Sequence, residues 1–136
     1  MKKLHIAAAV ENIPTVTAFI DKELEALNCP LKIQYQIDVA IDELFSNIAH
    51  YAYTTKSGMV SVFFEMLEEP RCVVITLIDK GKPFNPLSMK EPDISLPAEK
   101  RAAGGLGILM VKKTMDEIKY EYREGQNILR IIKKIK

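Results

Sequence analysis

Glu43 and Asn47 form the first of three short patterns in this 136-residue sequence that could bind a ligand. They lie four residues apart, and Tyr51 lies four further on, so a helix would place all three on one face. A carboxylate and a carboxamide one turn apart can act as a proton acceptor and as an oxygen ligand for a hard cation such as Mg²⁺. A solvated helix face is the alternative interpretation of the same spacing.

The second pattern is Asp79-x-Gly81, followed by Lys-Pro-Phe84-Asn-Pro at the end of an apolar, β-rich run. An acidic residue at a strand end can accept a hydrogen bond from the amino group of a ligand. A glycine two residues later allows a flat ring to approach the backbone. An ordinary polar turn would explain the same residues.

The third pattern is a glycine cluster, Gly104, Gly105 and Gly107, which leads into a predicted helix, with Lys100 and Arg101 just upstream. Backbone N–H groups at a helix N-terminus bind anions, and the helix dipole favours negative charge there. The cluster lacks the spacing of a P-loop and the surroundings of a dinucleotide fingerprint. A flexible hinge is the alternative.

Hydrophobic periodicity predicts the elements that position these patterns. Residues 3–9, 59–67, 72–79, 117–123 and 127–135 are predicted strands, and 12–27, 32–54 and 106–116 are predicted helices. Four of the seven prolines lie in the aperiodic segment 80–103, which is long for a structureless loop and is typical of a functional lid. The element order predicts an α+β fold. Its form is a two-layer sandwich, in which helices cover one face of a mostly antiparallel mixed sheet.

Composition predicts one domain over residues 1–136 and argues against several classes of partner. The net charge of +1 gives no basic surface for nucleic acid, and no apolar run is long enough to span a membrane. Cys29 and Cys72 lack metal-like spacing, which favours a reduced, cytoplasmic location. Ser46, His5 and His50 show no triad or zinc pattern.

Taken in order, the three patterns resemble the nucleotide site of the Bergerat, or GHKL, ATPases. Glu43-x-x-x-Asn47 resembles the asparagine motif of that superfamily, Asp79-x-Gly81 its first glycine motif and Gly105-x-Gly107 its second. Within the superfamily, the sequence is most similar to the small bacterial anti-sigma-factor serine/threonine-protein kinases. These share the patterns Asp-x-Gly-x-Pro-Phe-x-Pro and Gly-Gly-Leu-Gly, and Asp116 and the Asn127-x-Leu129 strand also look like that group.

The resemblance implies a role for each matching residue. Asp79 would receive the adenine amino group of ATP, Asn47 would hold Mg²⁺, and Glu43 would be the catalytic residue that orients a serine hydroxyl. Residues 87–103 would form the nucleotide lid. The other expected ATP-binding residues are Gly81, Phe84, Lys100, Arg101, Gly104, Gly105, Leu106 and Gly107.

The resemblance also implies partners. The expected substrate is a small anti-sigma antagonist protein, a sigma factor is a second candidate partner, and a homodimer is a possible assembly. Several relatives use an arginine in the first helix to hold partners, and residues 12–28 contain none, so the sequence does not identify the partner surface. The alternatives are a nucleotide-binding regulatory module without phosphotransfer and a small nucleotide hydrolase.

Overall fold

Five strands and three helices make up the part of the chain that the computed structural model describes, residues 1–52, 58–88 and 105–135. Every predicted element is present, and apart from the end of the second helix its bounds fall within two residues of the prediction. In chain order they are β1 (Lys2–Ala7), α1 (Ile13–Ala26), α2 (Leu31–Asn47), β2 (Met59–Leu67), β3 (Cys72–Asp79), α3 (Gly105–Thr114), β4 (Glu117–Arg123) and β5 (Gln126–Lys134).

The strands form a single sheet in the order β1-β2-β3-β5-β4, and each neighbouring pair is antiparallel. The prediction of a mostly antiparallel sheet in an α+β fold is therefore confirmed. Strand β3 lies at the centre, where six of its eight residues, Cys72 to Leu77, are consecutive and buried. Its last residue, Asp79, is paired with Asn127 of β5, so two polar side chains meet at one end of the sheet.

The core lies between the helices and one face of the sheet. The first two helices each contribute a stripe of apolar residues at helical spacing to this core: Val16, Ile20 and Leu24 from α1, and Ile37, Ile41 and Leu44 from α2. These side chains are at most 1% exposed. Burial of each stabilises the fold by roughly 1.5–3 kcal/mol relative to exposure, which holds α2 firmly against the sheet.

Helix α2 does not continue as an α-helix to residue 54, as the sequence predicted. It widens into a π-helical turn at Ile48–Ala52, and residues 53 and 54 lie outside the described residues. The imidazole Nδ1 of His50 donates to the carbonyl oxygen of Ser46 at 2.9 Å within this turn. The wider turn brings the carbonyl of Ala52 to the loop after β3, where it accepts a hydrogen bond from the backbone N–H of Lys82 at 3.0 Å. Such turns often mark functional sites.

Only the start of the predicted lid can be described. Residues Pro86–Ser88 form a short 3-10 turn, and residues 89–103, which include Lys100 and Arg101, lie outside the described residues. The same holds for Gly104. Over the described ranges, the structure contains no helix long and apolar enough to cross a membrane.

Candidate functional site

Asp79 is the buried centre of the candidate site. It ends β3, is 3% exposed, and its Oδ1 accepts hydrogen bonds from the backbone N–H of Gly81 at 2.8 Å and from Nδ2 of Asn127 at 2.9 Å. Burial raises the pKa of Asp79, and these two hydrogen bonds oppose that rise because they stabilise the ionised form. Within the described part of the chain both donors meet Oδ1, so Oδ2 is the oxygen that can accept a hydrogen bond from a ligand.

Gly81 is required by close packing rather than by an unusual backbone angle. A Cβ atom added at this position would overlap the carbonyl oxygen of Ala52 and would lie 2.7 Å from the Ala52 Cβ. The loop after β3 therefore rests directly on the π-helical turn that ends α2. This contact fixes Asp79 relative to the helix that carries the first pattern.

Asn127 holds the same loop from the other side, and the sequence analysis did not include it among the site residues. It is 4% exposed, and besides Asp79 its Nδ2 donates to the carbonyl oxygens of Gly81 at 3.3 Å and Lys82 at 3.0 Å. Its Oδ1 accepts from the backbone N–H of Phe84 at 3.1 Å and from the hydroxyl of Tyr120. Only the pairing of β3 with β5 brings Asn127 opposite Asp79, across 48 residues of sequence.

Glu43 and Asn47 lie side by side on α2, as their spacing predicted. Nδ2 of Asn47 donates to Oε1 of Glu43 at 3.4 Å. Asn47 is 5% exposed, so for this residue the interpretation as a solvated helix face is wrong. Burial raises the pKa of Glu43, the hydrogen bond from Asn47 lowers it, and the negative charge of Asp42 raises it. A carboxylate with a raised pKa accepts a proton more readily than an exposed one.

Helix α3 brings the glycine pattern to Glu43. A Cβ atom added at Gly107 would overlap the carboxylate of Glu43, so only a glycine allows the first turn of α3 to pack this closely against α2. The positive end of a helix dipole and its backbone N–H groups favour anions. The carboxylate of Glu43 thus lies beside a helix N-terminus, a position that suits a phosphate.

A small cavity lies between Asn47 on the helical side and Asp79 and Asn127 on the side of the sheet. It is lined by polar groups and apolar side chains, and it encloses about 10 Å³. The rings of Tyr51 and Phe84 stack nearby, with centroids 5.1 Å apart. The volume is that of about one water molecule, so a purine could enter only if part of the lining moved. The lining residues are Leu44, Asn47, Ile48, Ala52, Asp79, Phe84, Pro86, Tyr120, Asn127 and Leu129.

The structure brings together six of the residues selected from the sequence: Glu43, Asn47, Asp79, Gly81, Phe84 and Gly107. Gly105 and Leu106 begin α3. Lys100, Arg101 and Gly104 lie outside the described residues, so their place in the site stays a prediction.

The side chains present suit a magnesium nucleotide better than a metal bound by protein alone. Over the described ranges, no group of three or more His, Cys, Asp or Glu residues could hold a metal ion. Mg²⁺ commonly keeps several waters and binds one or two protein oxygens together with substrate phosphates. The side-chain oxygens of Asn47 and Glu43 fit that pattern, and Oδ2 of Asp79 fits the amino group of a base.

Residues 6–133 match the family model of the histidine kinase-like ATPase domain. Among curated proteins, the chain is similar to the serine-protein kinases RsbW of Bacillus mycoides and Bacillus cereus, each 30% identical over 95 residues. These alignments cover 67% of this chain and 58% of each relative, so the chain spans less than two thirds of the length of the relatives it matches.

Two solved structures share the fold. The RsbU and RsbW domains of a Mycobacterium tuberculosis protein match with a TM-score of 0.66 at 17% identity, over 99% of this chain and 33% of the other. The histidine kinase domain of a blue-light activated histidine kinase from Erythrobacter litoralis matches with a TM-score of 0.54 at 14% identity, over 78% of this chain and 46% of the other. At these identities the likeness concerns the fold alone.

Proposed function

This chain belongs to the histidine kinase-like ATPase (GHKL) family, and from that premise we propose that it is a serine/threonine-protein kinase of anti-sigma-factor type that uses Mg-ATP. Its substrate would be a small anti-sigma antagonist protein, and a sigma factor would be a second partner. The distant similarity to RsbW serine kinases supports this choice within the family.

One observation carries the proposal: elements far apart in sequence bring the three patterns to one small cavity and its immediate surroundings. Oδ2 of Asp79 would accept a hydrogen bond from the adenine amino group, with Gly81 beside the ring and Phe84 in the cavity wall. Asn47 would supply a ligand oxygen to Mg²⁺, which would neutralise phosphate charge during transfer. Lys100, Arg101, Gly104, Gly105, Leu106 and Gly107 would surround the phosphates, with 87–103 as the lid.

Glu43 is the residue that favours a kinase over a nucleotide-binding module. Its carboxylate contacts both Asn47 and the first turn of α3, and these contacts support a position beside the terminal phosphate. A serine hydroxyl that attacks that phosphate must lose its proton, and a carboxylate in this position can orient the hydroxyl and accept the proton. Phosphoryl transfer needs little more from a protein than such positioning and charge stabilisation.

The experiment is phosphate transfer from labelled ATP to the products of neighbouring genes, with wild type and Glu43→Gln compared. The removed carboxylate would act in the transition state, so Glu43→Gln should phosphorylate the partner at least ~10²-fold more slowly. Its affinity for Mg-ATP, measured by calorimetry, should stay close to that of the wild type.

Glu68→Gln is the matched control, because it makes the same change at an exposed carboxylate between β2 and β3, at the end of β3 opposite to Asp79, and should leave transfer nearly unchanged. Equal transfer rates in wild type and Glu43→Gln would remove Glu43 from the chemistry. A wild type that binds both Mg-ATP and its partner, yet transfers no phosphate, would establish the regulatory module instead.

A further inference from the structure

The side chain of Asn127 has more hydrogen-bond partners than any other side chain in the described part of the site. The carboxamide contacts Asp79, Gly81, Lys82, Phe84 and Tyr120. It lies on β5 directly opposite Asp79 in the sheet register and is almost completely buried. A buried polar group that loses its hydrogen-bond partner destabilises the fold, so the members of this network constrain one another strongly.

The partners of Asn127 also fix which way its amide points. Its Nδ2 faces only acceptors, namely the carboxylate of Asp79 and the carbonyl oxygens of Gly81 and Lys82. Its Oδ1 faces two donors, the Phe84 N–H and the Tyr120 hydroxyl. A flipped amide would place its N–H groups against the Phe84 N–H and its oxygen against the carboxylate, so only one orientation satisfies the network.

This orientation determines the hydrogen-bonding character of Asp79. A buried carboxyl group that carries a proton can donate to a carbonyl oxygen, whereas an ionised one can only accept. Burial raises the pKa of Asp79 and so favours its protonated form. The hydrogen bonds from Nδ2 of Asn127 and from the backbone N–H of Gly81 lower that pKa. Without Asn127, Asp79 would lose one of the two donors that keep it an acceptor.

We propose that Asn127 is a positioning residue that makes the site selective for a purine with an exocyclic amino group over one with an oxygen at the same place. The inference rests on the proposed function, because it assumes that Asp79 faces the base. Through Asn127, Tyr120 contributes to the same selectivity, since its hydroxyl helps to hold the amide in place.

The test compares Mg-ATP with Mg-ITP, which differ in that inosine carries an oxygen where adenosine carries the amino group. Calorimetry at pH 7 on the wild type should show a preference for ATP of about 10- to 100-fold, the usual effect of a hydrogen bond to a charged group. In Asn127→Leu, which keeps the size but removes the hydrogen bonds, the preference should fall below about threefold. Tyr120→Phe should also lower the preference for ATP over ITP, but by less than Asn127→Leu does.

The pH profile provides a readout that simple loss of structure would not change. Asn127 lowers the pKa of Asp79, so in Asn127→Leu the preference for ATP should be lost at a higher pH than in wild type as the solution is acidified. Gln126→Leu is the matched control, because Gln126 precedes Asn127 on β5 and its side chain points to the opposite face of the sheet. Its selectivity should equal that of the wild type.

Two results would overturn the inference. The first is an ATP-to-ITP preference that stays at the wild-type value in both variants, even if the two affinities fall together. If Asn127→Leu does not fold, an unchanged preference in Tyr120→Phe decides against the inference. The second is a wild type that binds neither nucleotide, which would overturn the proposed function as well. If the wild type and the variants bind with the same selectivity, this inference alone is overturned.

Discussion

At the scale of single residues, the proposed site depends on a buried carboxyl group whose pKa is raised by burial and lowered by hydrogen bonds. Asp79 is buried at the end of β3, and two N–H donors on its Oδ1 oppose the pKa rise that burial causes. A hydrogen bond to a charged group is typically worth ~1.5–3 kcal/mol, enough to offset much of the cost of burial. One of these donors, the Gly81 N–H, comes from the loop that lies on Ala52.

The sequence predicts the residues whose partners are near in the chain and misses those whose partners are distant. Glu43 and Asn47 are one helical turn apart, and Asp79 and Gly81 are two residues apart, so spacing alone reveals both pairs. Asn127 depends on the register between β3 and β5, which no local pattern determines. The contact between Gly107 and Glu43 likewise depends on how α3 packs against α2.

Gly81→Ala tests the close contact with the end of α2. The added methyl group would overlap the backbone of Ala52, so the loop must shift away from α2 and carry its N–H away from Asp79. We expect a loss of about 1–3 kcal/mol in the free energy of unfolding. We also expect at least a tenfold loss of Mg-ATP affinity, about what one weakened charged hydrogen bond costs. Denaturant unfolding and calorimetry measure the two effects.

Gly125→Ala separates the two effects. Gly125 has a φ of +76° in the turn between β4 and β5, and an added Cβ would meet nothing within 4 Å. This variant should lose about 1 kcal/mol of stability through its backbone conformation and bind Mg-ATP as the wild type does. Wild-type affinity in Gly81→Ala would show that the close packing at Ala52 does not support the site.

At the scale of elements, the existence and type of every helix and strand follow from hydrophobic periodicity. The bounds of β2 and β3 agree with the prediction at both ends, because turn-forming residues flank them. The π-helical end of α2 was not predicted. A stripe of apolar residues cannot distinguish a π turn from an α turn, and the widening accompanies packing of Ala52 against a loop that follows much later in the chain.

The junction between α1 and α2 contains a pair of acidic residues that should make stability depend on pH. Asp21 on α1 and Asp38 on α2 each have a buried Oδ1 with no hydrogen-bond partner of its own in the described part of the chain. Burial, then the hydrogen bond and charge of Asp21, then the charge of Glu25, raise the pKa of Asp38 to about 8. The nearby thiol of Cys29 also has a raised pKa, first from burial and then from the charge of Asp38.

The sign of the effect follows from proton binding. Between about pH 4 and pH 8 the folded chain keeps a proton on Asp38 that the unfolded chain releases, so stability falls as pH rises through this window and levels off above it. Asp38→Asn cannot ionise and should remove this dependence. At pH 8.5 it should be more stable than wild type by about 1–2 kcal/mol, well below the full effect of the shift because the pair is partly exposed.

Urea unfolding at several pH values between 5 and 9 checks this prediction. Glu68→Gln is the control, since Glu68 is an exposed carboxylate between β2 and β3. The difference in unfolding free energy between wild type and Asp38→Asn should grow with pH, whereas for Glu68→Gln it should not. A difference that is constant from pH 5 to pH 9 would contradict a raised pKa at Asp38.

At the scale of the whole molecule, the proposed site belongs to neither layer alone. The helical layer supplies Glu43, Asn47 and Gly107, and the sheet and its loops supply Asp79 and Asn127. The cavity between them holds about 10 Å³, far below the size of a purine. Entry of a nucleotide therefore requires part of the lining to move. The sequence could predict most of the residues that gather here, though not Asn127, and it could not predict how closed the space is, because that depends on packing between the layers.

A ligand that contacts both layers should stabilise the complete fold. Unfolding separates the elements that hold the nucleotide, so the unfolded chain retains no site and the full binding free energy adds to stability. At Mg-ATP concentrations one hundred times the dissociation constant, the gain is about 2.7 kcal/mol, which should raise the melting temperature by at least about 5 °C. The rise should continue with the logarithm of concentration. Thermal unfolding followed by circular dichroism measures it.

Two variants define the outcome. Asp79→Asn replaces an oxygen acceptor by a donor toward the base, so at a fixed Mg-ATP concentration it should lose most of the rise in melting temperature. Glu121→Gln is the control. It removes an exposed carboxylate from β4, the edge strand that β5 separates from β3. It should respond to Mg-ATP as the wild type does, because its side chain is in solvent and absent from the cavity lining. A wild-type melting temperature that does not change up to millimolar Mg-ATP would contradict nucleotide binding, and with it the kinase and the regulatory module alike.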